Sequence, residues 1–252
     1  MSFKKTLALF LAAAVAVALC VGCSRKKTDN YIQLSQVKMH YQRLGAGSCA
    51  VILLHGNGSD LSSLSGLAKL LSKDYTVYSL DSRCHGKSSD TDEITYNLMA
   101  DDVYEFINEL KIDKPYIIGH SDGGIVALTL ASGYPDSVGA VVACGANSSP
   151  AGLDDDFSSS IKEVNDREPD KLLELMLNYP DLNKEELAKI KCPCLILAGE
   201  NDVIKKSDTE FIANSIDNSK MVIIDGEDHS SYISSDGEKA YELATDFFNG
   251  IN

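Results

Sequence analysis

Six short, uninterrupted apolar runs limit what this chain can fold into: residues 49–54, 75–80, 115–119, 138–144, 194–198 and 221–225. Runs that are apolar without alternation suit strands covered on both faces, as in a parallel sheet. Between them, residues 61–71, 96–110, 124–134, 208–216 and 239–248 carry apolar side chains at helical spacing. Strand and helix alternate, so the class is α/β, with a mostly parallel central sheet flanked by helices. Upstream, residues 31–44 alternate, with Val37, Met39 and Tyr41 on one face, and predict an antiparallel strand or hairpin. A chain of 252 residues without internal repeats is one domain on this pattern.

Residues 149–190 break the alternation. They hold helix-like pieces at 153–157, 172–177 and 182–187 and no strand run, and are too long for a bare loop. A small helical lid over the sheet is expected there. Between 151 and 190 there are 11 acidic residues against 5 basic ones, which makes a solvated face or a bias toward neutral and cationic ligands.

The N-terminus follows a different logic. Lys4 and Lys5 precede an uncharged stretch over 7–22, followed by Cys23. That stretch falls just short of the ~20 residues a membrane span needs, and the layout is that of a secretory signal. Cys20-Val21-Gly22-Cys23 resembles the lipobox of bacterial lipoproteins, except that Cys20 stands where Leu is usual. The resemblance implies a signal peptide over 1–22, lipid attachment at Cys23, a linker over 23–30 and a membrane-anchored domain outside the cytoplasm over 31–252. An uncleaved N-terminal anchor is the alternative. Removal of 1–22 and lipidation of Cys23 leave Cys49, Cys84, Cys144, Cys192 and Cys194 as thiols, an odd number, expected as buried small side chains rather than a disulfide set.

A net charge of −14 argues against nucleic acid as a partner, since that binding depends on neutralising phosphates. No Gly-rich phosphate loop, dinucleotide fingerprint or metal-ligand spacing is present, so no cofactor and no metal are implied.

Gly119-His120-Ser121-Asp122-Gly123 matches G-x-S-x-G, directly after an apolar run and before a helix-like stretch. In that context the glycines permit a sharp strand-to-helix turn that exposes the Ser121 hydroxyl. A serine nucleophile needs a base, and the base an orienting acid. Of five histidines, His40 lies in the first strand pair, His55 and His85 begin His-Gly turns, and His120 adjoins the serine facing elsewhere. His229, after the last strand, remains as the base. Glu200 and Asp202 both follow the run 194–198; Asp202 is preferred because it can turn back from the loop, with Glu200 as the alternative. The oxyanion needs two N–H donors. The amides of Asp122 and of Asn57, in the glycine-rich turn after 49–54, are the candidates.

Taken together, His55-Gly56, the stretch Asp81 to Ser88, Gly119 to Gly124, Gly199 to Asp202 and Gly226 to His229 resemble, in order, the motifs of the α/β-hydrolase fold over roughly 31–250. The resemblance implies that fold, with a helical lid at about 149–190, and a Ser121–Asp202–His229 serine hydrolase. Cys84 departs from the pattern, where glycine is usual. The Ser-Asp-Gly-Gly elbow is similar to that of amino-acid-ester hydrolases of the valacyclovir-hydrolase type, so Asp122 could pair with a substrate ammonium or bond the backbone locally. The expected reaction is hydrolysis of a small carboxylic ester through an acyl-enzyme. Thioester, lactone, amide or C–C hydrolysis, or a lipoprotein that binds a ligand without turnover, are the alternatives. Oligomeric state is not legible.

Overall fold

The computed structural model describes residues 28–234 and 236–251. The expected signal peptide over 1–22 and the lipid-attachment residue Cys23 lie outside the described residues. Of the linker expected over 23–30, residues 28–30 are described and are strand, which begins at Thr28. That strand, β1 (Thr28–Gln33), pairs antiparallel with β2 (Lys38–Leu44), Thr28 opposite Arg43. Thr28, Asp29 and Asn30 carry no apolar signal because β1 is an edge strand. Its outward side chains face water.

The remaining strands are β3 (Ala50–Leu54), β4 (Thr76–Leu80), β5 (Tyr116–His120), β6 (Ala140–Cys144), β7 (Cys194–Asn201) and β8 (Ser219–Asp228). They form one eight-stranded sheet in the order β1-β2-β4-β3-β5-β6-β7-β8. The first two pairings are antiparallel and the rest parallel. This is the α/β-hydrolase fold. From β3 the chain moves to one side for β4 and then to the other for β5. The strand order therefore reverses between β3 and β5, the position where open α/β sheets bind ligands at their carboxyl ends. Those two ends lead into His55 and Ser121.

Helices cover both faces. On one side lie α2 (Tyr96–Glu109) and α3 (Asp122–Gly133). Helix α2 starts at Thr95, whose hydroxyl accepts the Leu98 N–H at 3.2 Å, and buries Tyr96, Met99, Val103, Phe106 and Ile107 along one stripe. Helix α3 is apolar on nearly every side and runs through the core. The other face is covered by α1 (Ser65–Leu71), the single turn α8 (Ser231–Ser234) and α9 (Glu238–Asn249). Between β7 and β8 lies α7 (Lys206–Asn214).

The segment after β6 folds into α4 (Asp155–Arg167), α5 (Lys171–Asn178) and α6 (Lys184–Leu187). Helix α4 runs well beyond the expected 153–157: Phe157, Ile161 and Val164 keep helical spacing, but the helix is mostly polar and Ile161 is the one residue it fully buries, so the apolar signal along it is thin. Leu153, Ile161 and Ile204 make a small separate core with Phe157, Leu173 and Met176. Among the described residues no helix is long and apolar enough to cross a membrane. Cys144, Cys192 and Cys194 are buried, Cys49 and Cys84 half-buried, and all five are free thiols.

Candidate active site

Ser121 joins β5 to α3 with φ +54° and ψ −119°, a conformation costly for a residue with a side chain. It is held by the surrounding backbone: its N–H donates to Cys144 O at 2.7 Å, and its carbonyl accepts the Gly124 and Ile125 N–H groups. Close packing makes two glycines obligatory. A Cβ at position 119 would lie 2.0 Å from Gly123 O, and one at position 123 would lie 2.2 Å from Leu54 O. The elbow is thus pressed onto β3.

The turn after β3 lies against the serine, since a Cβ at Gly56 would stand 3.1 Å from Ser121 Cβ. His55 and His85 shape this region. His55 Nδ1 donates to Gly56 O at 2.8 Å and Nε2 accepts the Ser82 N–H at 3.1 Å. His85 Nδ1 donates to Arg83 O and Nε2 accepts the Gly58 N–H. Both rings therefore hold loops, as expected, and burial depresses the His55 pKa to about 4. The Asp122 amide opens α3 and is one of the N-terminal donors a helix leaves without an intrahelical acceptor.

Asp202 and His229 meet across the ends of β7 and β8. His229 Nδ1 bonds Asp202 Oδ1 at 2.6 Å. The carboxylate is almost wholly buried and also accepts the Ile204 N–H at 3.0 Å and the Gly199 N–H at 3.2 Å. With Nδ1–H committed to Asp202, the other ring nitrogen is free to act as a proton acceptor. Glu200 is turned outward, where it accepts the Gly226 N–H at 2.9 Å. His120 Nε2 donates to the His229 carbonyl at 2.8 Å, and burial lowers the pKa of its ring to about 4, so it stays neutral beside His229.

Ser121, Asp122 and His229 line one cavity of about 20 Å³, roofed by Leu153, Phe157 and Met176 of the helical segment. Asp122 is buried and its side chain is directed away from the local backbone. Oδ1 accepts the Tyr96 hydroxyl at 2.9 Å and Oδ2 accepts Asn57 Nδ2 at 2.9 Å. Burial raises its pKa, against the pull of these two neutral donors. Tyr96 also borders a second cleft of about 750 Å³ between α2, α3 and residues 179–186. Asp101, Asp181 and Glu186 line that cleft, and no basic side chain does.

Sequence reasoning brought Ser121, Asp122, Asp202, His229 and Asn57 to one end of the sheet, and the structure gathers them there. It did not find Tyr96, or a role for the Asn57 side chain. The available signal for Tyr96 was a hydroxyl on an otherwise apolar helix stripe, which when buried requires a partner. Among the described residues no group of three or more His, Cys, Asp or Glu side chains is arranged to hold a metal ion.

Comparison with known proteins agrees with this architecture. A family model described as the alpha/beta hydrolase fold matches residues 50–169. The human serine hydrolase BPHL is 28% identical over 251 aligned positions, covering 87% of this chain and 86% of that protein. The zebrafish (Danio rerio) sn-1-specific diacylglycerol lipase ABHD11 is 35% identical over 126 positions, 47% of this chain and 40% of its own. Among solved structures, the enol-lactonase from Burkholderia xenovorans superposes with a TM-score of 0.73 at 21% identity. It covers 87% of this chain and all of its own, a likeness of fold alone.

Proposed function

We propose that this chain, which has the α/β-hydrolase fold and is similar to proteins of that superfamily, is a serine hydrolase of small carboxylic esters, held outside the cytoplasm by a lipid on Cys23. The observation that carries the catalytic reading is the meeting of two things at one cavity: a serine on a strained elbow, and a histidine whose Nδ1 is bonded to a buried carboxylate. A relative named as a serine hydrolase supports the nucleophile, and one named as a diacylglycerol lipase supports an ester substrate.

In this reading Ser121 Oγ attacks the ester carbonyl while His229 accepts its proton. Asp202 keeps the imidazole in the tautomer that can do so and stabilises the cation that forms. The Asn57 and Asp122 amides donate to the oxyanion. The alkoxide leaves with the proton from His229. Water, deprotonated by His229, then attacks the acyl-enzyme and frees the acid and Ser121. A space of about 20 Å³ holds about one water, so ester binding requires Phe157 and Met176 to move.

A second feature refines the substrate. Asp122 is a buried carboxylate at the cavity wall that accepts only from neutral donors. An ammonium beside the reacting carbonyl would give it a cationic partner, so amino-acyl esters are favoured.

The test is hydrolysis of a short-chain nitrophenyl ester panel. Ser121→Ala and Asp202→Asn are each expected to lower kcat by roughly a thousandfold or more, and Glu200→Gln to leave it near the wild-type value. Undiminished turnover in Ser121→Ala would refute the serine mechanism, and loss in Glu200→Gln with normal Asp202→Asn would move the acid. Radiolabelled palmitate incorporated by the wild type and not by Cys23→Ser is the expected outcome for the anchor, and equal labelling refutes it.

A further inference from the structure

The Asn57 side chain connects the core of the site to its roof. Its single amide nitrogen donates twice: to Asp122 Oδ2 at 2.9 Å, in the floor of the cavity, and to Leu172 O at 3.0 Å, in the first turn of α5. An amide nitrogen has two protons, so both are used and both fix the side chain's orientation. The backbone of the same residue carries one of the proposed oxyanion donors. Glycines flank it on both sides, and Gly58 has φ +62° with open space where a side chain would stand. The turn is held on both sides, Gly56 O by His55 Nδ1 and the Ser59 N–H, and the Gly58 N–H by His85 Nε2, and the Asn57 side chain is the anchor that ties this turn to the roof.

Helix α5 is fastened next to this point. Lys171 Nζ pairs with Asp90 and donates to Thr91 O at 3.0 Å, both in the loop between β4 and α2. An exposed ion pair is a weak fastening, which suits a roof that has to lift to admit substrate.

We propose that Asn57 is a positioning residue that couples seating of the α4–α5 roof to the orientation of the oxyanion-loop peptide, with Lys171–Asp90 as the latch. When α5 is seated, the Leu172 carbonyl holds the second Asn57 proton, and the residue 57 amide faces the space beside Ser121. When α5 lifts, that bond is lost and the side chain retains its bond to Asp122 alone. The hydrolase then has its second oxyanion donor in place when the roof is down over bound substrate, and the open form is poorly active toward water or toward esters not fully enclosed. The catalytic consequence rests on the ester-hydrolase reading; the mechanical coupling does not.

The test uses full-length protein and amide hydrogen exchange, with kinetics in parallel. Lys171→Met, which breaks the latch and touches no reacting group, is expected to speed exchange about fourfold both over 171–178 and over 56–59. In an Asn57→Ala background the same change should speed 171–178 and leave 56–59 unaltered. Lys171→Arg should restore wild-type exchange in both segments. In kinetics, Lys171→Met should lower kcat when Asn57 is present and not when it is Ala, whereas any change in KM appears in both backgrounds. Faster exchange over 171–178 with none over 56–59 overturns the coupling, and no change in either segment overturns the latch. Coupled exchange in a wild type that hydrolyses no ester would instead overturn the proposed reaction and leave the coupling standing.

Discussion

At the scale of single residues, the site combines groups whose surroundings oppose their ordinary state. Ser121 is held at positive φ, and Asp122 is a carboxylate in a wall of uncharged groups. The sign of the second effect is definite. Burial raises the Asp122 pKa above its ordinary 3.8, so the folded state binds a proton more readily than the unfolded chain. Stability is therefore lost as pH rises through 3.8 toward the folded value, and the penalty is fully present at higher pH. Asp122→Asn keeps the shape, since its oxygen can accept from Asn57 while its NH₂ donates to the Tyr96 hydroxyl. The variant is expected to be more stable than wild type at pH 7 by roughly 0.5–2 kcal/mol. The difference should shrink to nothing as urea titrations are repeated below about pH 4. A gap that stays constant with pH would mean the carboxylate is not the source.

Residue-scale legibility was uneven for a physical reason. The positions of Ser121, Asp202 and His229 at strand ends could be read because each follows an apolar run and has a glycine two or three residues before it, so local sequence announces the strand end. Cys84 could be read as a misfit where glycine is usual, and its φ is +63°. Tyr96 could not, because its place on Asp122 depends on how α2 crosses α3, which no local pattern encodes. The double bond from the Asn57 side chain depends on the seating of α5 and was equally invisible.

At the scale of elements, the apolar centres of strands were legible and their ends were not. β7 continues to Asn201 and β8 to Asp228, past the apolar cores expected for them, because paired backbone extends beyond the buried side chains. The mostly polar helix α4 shows the same limit. The loop between β4 and α2 is where element order meets the site, and it is secured by a buried pair. Arg83 donates Nε to Asp102 Oδ2 and Nη2 to Asp102 Oδ1, each at 2.7 Å, with both side chains nearly excluded from water. The same loop presents Asp90 and Thr91 to Lys171. Arg83→Met leaves Asp102 buried without its cation, and should lower unfolding free energy in urea by about 3–5 kcal/mol. Adding Asp102→Leu should recover most of that loss, because the cost lies in the unpaired charge and not in the missing contact. Failure of the second change to recover stability would place the cost in packing around the guanidinium.

At the scale of the molecule, the proposed preference for cationic substrates would draw on two sources that differ in range. The chain carries a net charge of −14, and residues 151–190, which include the roof, contribute 11 acids against 5 bases. Such a field steers diffusing cations toward the cavity and acts mainly on association. In that reading Asp122 acts on contact, at the wall of the cavity it shares with Ser121 and His229. Salt separates them, since the screening length falls from roughly 30 Å at 0.01 M to roughly 3 Å at 1 M. An amino-acyl ester is expected to exceed its uncharged isostere in kcat/KM at low salt, with a succinyl ester below both. Raising the salt should bring the succinyl and neutral esters together, which isolates the field. The advantage of the amino-acyl ester should fall only in part, and the remainder should vanish in Asp122→Asn. An advantage that salt removes completely belongs to the surface charge alone, and then Asp122 takes no part in recognising the substrate.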